Sequence, residues 1–97
     1  MRILLSPRAQ LDMDDIWSYT LTRWGTKQAE CYTRQLYQQM QIIVENPAMG
    51  RSCSHIRKGY YSYPAASHVI FFQVIDSGID VIRILHKQMD VEQQLDS

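Results

Sequence analysis

At Asn46-Pro47 the periodicity of the chain changes, and this change constrains the fold more than any other feature of the sequence. Before it, apolar residues recur at spacings of three and four, as on one side of a helix; after it they alternate or run together, as in strands. The residue preceding a proline is pushed out of the helical region, so the helical half ends there. Helices segregated in sequence from strands predict an α+β fold: an N-terminal strand, then an α-helical hairpin packed on one face of a mostly antiparallel four-stranded sheet.

Within the first half, Ile3-Leu4-Leu5 reads as a short strand. Ser6-Pro7 follows as an N-cap and a proline at the first helical position, where a missing N–H costs nothing. Ala9, Met13, Ile16, Trp17 and Trp24 line one side of the helix, with Thr20 the single polar interruption. Asp12, Asp14 and Asp15 fall in its N-terminal half, where the helix dipole favours carboxylates, and are expected on a solvated face. Gly25 stops this helix, and Thr26 is expected to cap the next, so the two fold back on each other. Ala29, Tyr32, Leu36, Met40 and Ile43 repeat the stripe. Tyr19, Leu21, Tyr37 and Ile42 fall partly or wholly off the stripes and leave more apolar surface than a small monomer usually exposes.

After the loop PAMGRSC come three β-rich segments, Tyr60 to Tyr63, His68 to Ile75 and Ile79 to His86. Asp76-Ser77-Gly78 joins the last two as a hairpin loop, and Pro64-Ala65-Ala66-Ser67 links the first two. Strict alternation in the last segment puts Ile82, Ile84 and His86 on one face and Val81, Arg83 and Leu85 on the other. Both faces are apolar, yet a helical hairpin covers only one. The second face is therefore expected to be covered by the acidic tail of the chain or by a partner protein.

Ninety-seven residues, 45% of them apolar, are enough for one core, read as a single domain over 1–97. Ten basic and ten acidic side chains cancel, which argues against binding nucleic acid chiefly by neutralising phosphates. The charge is unevenly spread: 1–50 is neutral, 51–87 carries +3 and 88–97 carries −3. Two cysteines are too few for a disulfide scaffold, and MRILLSPRAQ is too short in apolar residues for a signal peptide, so a reducing cytoplasm is expected. No stretch reaches the roughly 20 apolar residues that span a bilayer. Neither a metal-binding spacing nor a glycine-rich phosphate loop is present, and no cofactor is expected.

One chemical reading is metal-free RNA cleavage, which needs a base, an acid and cations at the phosphate. His86 is a residue type suited to general acid–base work, Arg57 and Arg83 are suited to clamp phosphate, and Glu45, His55, His68 or a tyrosine could complete such a set. Their spacing matches no local catalytic signature. The alternative is that these charges form a docking surface.

The residues Ser6-Pro7, Ala9, Asp12, Ile16-Trp17, Trp24-Gly25, Asn46-Pro47 and Gly50-Arg51, with IRKGYY at 56–61, SHVIFF at 67–72 and VIRILHKQMD at 81–90, together resemble the ParE toxins of the RelE/ParE superfamily. Family members often carry glycine where this chain has Ala66. The resemblance implies the toxin of a toxin-antitoxin operon, which inhibits DNA gyrase by protein–protein contact, performs no chemistry itself and is neutralised by a ParD-type antitoxin. Neither a membrane partner nor sequence-specific nucleic-acid binding is implied. Two other readings are a RelE-type endonuclease that cuts messenger RNA on the ribosome, and an inactive antitoxin-binding module. The expected target surface is Arg57, Arg83, His86, Lys87 and Met89. The expected antitoxin surface is Tyr19, Leu21, Tyr37 and Ile42 on the hairpin, with Val81 and Leu85 on the open face of the sheet. No catalytic residue is assigned.

Overall fold

The computed structural model describes residues 1–88 and Leu95. Strand β1 (Arg2–Leu5) leads into helix α1 (Pro7–Trp24), which turns at Gly25 into α2 (Thr26–Glu45). A 3₁₀ turn at Pro47–Met49 then opens the β half: β2 (Arg51–Ser52), β3 (Tyr61–Ala65), β4 (His68–Ile75) and β5 (Gly78–His86). The sheet runs β1-β5-β4-β3-β2, with β1 parallel to β5 and all other pairs antiparallel. No helix among the described residues is long and apolar enough to cross a membrane.

The α+β class is as expected, but the sheet has five strands rather than four. The additional strand is the pair Arg51–Ser52, bridged to Ser62 and Tyr61, and two residues are too few to show a period. The β3–β4 link is also shorter than expected. Pro64 and Ala65 belong to β3, opposite Val69 and His68, because β2 pairs only with Tyr61 and Ser62 and leaves the proline's other side unladdered. The turn then falls on Ala66-Ser67, with Ala66 at φ 56°, a left-handed conformation that alanine adopts at a cost. The β4–β5 loop likewise shrinks to Asp76-Ser77, since Ile75 pairs with Gly78. Gly78 opens β5 at φ 149°, and a Cβ there would collide with the backbone carbonyl of Arg2. That glycine lets β1 approach β5 closely.

Ser6 caps α1 as expected, its hydroxyl accepting the Ala9 N–H at 3.0 Å. The cap of α2 is Gly25, with no side-chain bond, and Thr26 is the first helical residue rather than the cap. Ala9, Met13, Ile16 and Thr20 are buried along α1, and Thr20 satisfies its hydroxyl on the Ile16 carbonyl at 2.7 Å. Trp24, expected on this stripe, is 69% exposed, because it is the last residue of α1 beside the Gly25 turn. From α2 come Leu36, Met40, Ile43 and Val44, and from the sheet Ile70, Phe72, Ile79, Val81 and Ile84, to complete the core between hairpin and sheet. A smaller core on the other face joins Cys53, Phe71, Leu85 and Leu95, flanked by Ile56, Tyr60 and Val69.

Strict alternation fails in β5. Phe71 pairs with Arg83 and Phe72 with Val81, so Ile82 is an extra residue opposite one step of β4. This bulge reverses which residues share a face. Val81 and Ile84 both enter the helix-side core, while Leu85 enters the second one. The expected open patch of Val81 and Leu85 is thus absent: the two are 0% and 1% exposed, on opposite faces.

Candidate functional site

The bulge lies where β1 gives out. Leu5 makes the last pair with β5, opposite Val81, and the chain then turns away into α1. The edge of β5 beyond that point carries backbone groups that need partners, and the start of α1 supplies them. The Ser6 N–H donates to the Val81 carbonyl at 2.9 Å, and the Ser6 hydroxyl donates to the Ile82 carbonyl at 2.7 Å. Nearly two helical turns further, Oδ2 of Asp12 accepts the Ile84 N–H at 3.0 Å.

The same carboxylate holds Arg83. Arg83 Nε donates to Asp12 Oδ2 at 2.8 Å and its Nη2 donates to Oδ1 at 3.1 Å, a two-pronged pair with both side chains at most 10% exposed. Asp12 is therefore not on the solvated face, which Asp14 and Asp15 do occupy. Its position was readable as an i+3 neighbour of Ala9 on the buried stripe. An arginine inside an apolar strand and a carboxylate on an apolar helix face each need a counter-charge, and burial makes them each other's. Arg83, expected to face a target, instead fastens α1 to the edge of β5.

Arg83 does line one wall of a cleft of about 370 Å³, together with Ser6, Arg8, Arg57, Tyr60 and Leu95. Arg57 is exposed, its guanidinium 5.9 Å from the centre of the Tyr60 ring. The structure thus brings Arg57 and Arg83 to one cleft. His86 belongs elsewhere.

At the end of β5, His86 pairs with His68 in register, and the two rings meet edge to face at 5.3 Å. The Tyr32 hydroxyl from α2 lies 2.6 Å from His68 Nδ1 and accepts the Ser67 N–H at 3.1 Å, which leaves its own hydrogen for the imidazole. Burial, and then the charge of His86, lower the pKa of His68 to about 4, against the opposing pull of Asp12. His68 is accordingly neutral at physiological pH and ties three elements together. His86 is half-buried, its Nδ1 accepting the Gln88 N–H at 3.2 Å. Lys87 is exposed, with its backbone N–H bonded to the Ser67 carbonyl at 3.1 Å. Met89 lies outside the described residues.

The groups proposed for RNA cleavage are thereby divided. Arg57 and Arg83 share one cleft, His68 and His86 form a second cluster, and Glu45 and His55 are exposed, without a hydrogen bond to either among the described residues. No group of three or more His, Cys, Asp or Glu among the described residues is arranged to hold a metal ion.

On the hairpin, Tyr19, Leu21, Tyr37 and Ile42 are 60%, 38%, 39% and 39% exposed. They do not form one patch on either helix: at about 100° per residue, Tyr19 and Leu21 point roughly 160° apart, and Tyr37 and Ile42 roughly 140° apart. Arg23 covers part of Tyr19, its guanidinium 5.2 Å from the ring centre and its Nε donating to the hydroxyl at 3.1 Å.

Comparison with known proteins agrees with this architecture. The chain is 46% identical over 95 residues to a protein named Toxin ParE1 of Mycobacterium tuberculosis, covering 97% of both chains. It is 41% identical over 91 residues to the Toxin ParE1 of Caulobacter vibrioides, covering 94% of each. Among solved structures it superimposes on a chain of the chromosomal ParDE system from P. aeruginosa with a TM-score of 0.75 at 21% identity, covering 89% of this chain and 95% of that one. A chain of the heterotetrameric YoeB-YefM toxin-antitoxin complex from Staphylococcus aureus matches with a TM-score of 0.60 at 19% identity over the same shares, a likeness of fold alone. The family profile for the ParE toxin of the type II toxin-antitoxin system parDE matches residues 3–91, and the chain belongs to that family.

Proposed function

We propose that this protein is a cytoplasmic toxin that inhibits DNA gyrase by protein–protein contact, without chemistry of its own, and that a ParD-type antitoxin neutralises it. The observation that carries this reading is the division of the candidate catalytic groups. General acid–base cleavage needs base, acid and phosphate clamp within hydrogen-bond reach of one reacting centre. Here Arg83 is bound to Asp12, and His86 sits with His68 away from Arg57. Such an arrangement suits a docking surface better than a site of reaction.

Arg57, His86, Lys87 and Met89 are the residues proposed to meet the target, with Arg83 shaping the cleft beside Arg57. Tyr19, Leu21, Tyr37 and Ile42 are proposed to meet the antitoxin. Their spread around the two helices fits a partner segment that wraps the hairpin better than one seated in a single groove. The two solved structures compared above come from toxin-antitoxin systems, which supports an antitoxin as partner.

Purified protein is expected to inhibit supercoiling by gyrase and to accumulate cleaved DNA, and added antitoxin is expected to reverse both. Gyrase left untouched at high excess, with messenger RNA cut on the ribosome, would establish the RelE-type reading instead. Antitoxin binding with no growth arrest on expression would mark an inactive binding module.

A further inference from the structure

Among the described residues, one that helps to close the second face of the sheet comes from far along the chain. Leu95 is 6% exposed and packs with Cys53, Phe71 and Leu85. It also walls the cleft that Arg8 and Arg57 line. Its neighbours in sequence carry the charge opposite to those arginines: Asp90, Glu92 and Asp96 lie in the last ten residues, which contain no base. Arg83 in the same cleft already has its charge met by Asp12. Arg8 and Arg57 are exposed and form no ion pair among the described residues.

We propose that this cleft is a docking site for an acidic segment with a leucine anchor, and that the chain's own tail, through Leu95, is its resident occupant. The leucine contributes burial, while the carboxylates contribute attraction that salt screens. Any partner that uses Arg57 then competes with the tail. The inference stands on the place of Leu95 and the charges of the chain, and it holds whichever target the toxin has.

Cys53 reports on the seat, because its thiol is buried in the cluster that Leu95 completes, whereas Cys31 is exposed. In the full chain carrying Cys31→Ser, a thiol reagent should modify Cys53 slowly. Adding Leu95→Ala should raise that rate at least about tenfold, as loss of a buried leucine favours local opening, with the far-ultraviolet circular dichroism unchanged. A synthetic peptide of residues 88–97 added to this variant should restore protection, and the same peptide with alanine in place of Leu95 should not. An unchanged rate in a folded Leu95→Ala chain, or failure of the peptide to protect, would overturn the proposal. Should Leu95→Ala not fold, the exposed pair Arg8→Glu and Arg57→Glu decides the matter. Labelling of Cys53 should then accelerate at low salt and converge with the parent at high salt. Rates equal to the parent at every salt concentration would reject the docking site.

Discussion

The two faces of the sheet are both apolar, yet they are covered by different means. On one, α1 and α2 lay down a continuous layer in which Ala9, Leu36, Met40 and Ile43 are wholly buried. On the other, a turn bearing Cys53, Ile56 and Tyr60 meets, among the described residues, Leu95 of the tail. Two long helices can follow a sheet and bury it with their own backbone hydrogen bonds satisfied. The 53–60 turn lies in no helix or strand and has no such backbone ladder. The first face is therefore expected to hold the fold together, while the second is the more open to local rearrangement and to partners.

Asp12 lies at the seam between the two, and its loss should have the largest effect. Asp12→Ala removes two charge-assisted bonds from a buried guanidinium, expected to cost about 3–5 kcal/mol, and loss of the acceptor for the Ile84 N–H adds about 1 kcal/mol. Denaturant unfolding of Asp12→Ala, Arg83→Met and the double variant would measure this. The double variant should recover part of the loss, because it no longer buries one charge without the other. Strictly additive losses would mean that the pair is not the fastening between α1 and β5.

Next in size is the contrast between the faces themselves. Leu36→Ala, on the helix side, is expected to cost about 3–4 kcal/mol and to lower the global unfolding midpoint. Leu95→Ala, at the margin of the second core, is expected to cost about 2 kcal/mol, because the chain around it can collapse into part of the space. Hydrogen exchange should separate them further. The Leu95 variant should speed exchange in the 53–60 turn while leaving α2 protected, and equal acceleration in both would mean that the two cores open as one unit.

A smaller effect of opposite sign is expected at the β3–β4 turn, beside the helix-side core. Ala66 holds φ 56°, which glycine adopts without steric cost. Ala66→Gly should therefore stabilise the protein by about 1 kcal/mol, measured as a rise in the unfolding midpoint. A fall would show that the entropy of the more flexible unfolded chain outweighs the strain relieved.

What could be read from the sequence follows where a period exists. Ser6-Pro7, the helical stripes and the long strands each repeat a spacing often enough to declare themselves. Arg51–Ser52 did not, being two residues long. The bulge at Ile82 is hidden because both faces of β5 are apolar, so a shift from one face to the other leaves no polar mark, and alternation alone puts Val81 and Leu85 in the wrong surroundings. Asp12 is hidden differently: a local rule, the helix dipole, accounts for a carboxylate at that position and gives no sign of its tertiary partner. Leu95 has one apolar neighbour at a helical spacing, Val91 four residues earlier, too short a pattern to declare an element, and only the three-dimensional structure gives Leu95 its place.

The smallest expected effect is a pH dependence at the junction of α2 with the sheet. The pKa of His68 falls from 6.5 to about 4 on folding, through burial and the neighbouring His86. Between these values the unfolded chain binds the proton and the folded chain does not. Stability from this group is thus fully present above about pH 6.5 and is lost as the pH falls toward 4. Because the ring is partly exposed, solvent screening holds the contribution to about 1 kcal/mol. His68→Asn should flatten the slope of the unfolding midpoint across that window relative to the parent, a difference that removes the background from carboxylates common to both. Tyr32→Phe keeps the aromatic packing but deletes the hydroxyl at His68 Nδ1, so protonation becomes easier and the slope should shrink without vanishing. A slope unchanged in both variants would place the acid sensitivity away from this junction, and would leave the helix-covered face with no titratable weakness of its own at His68.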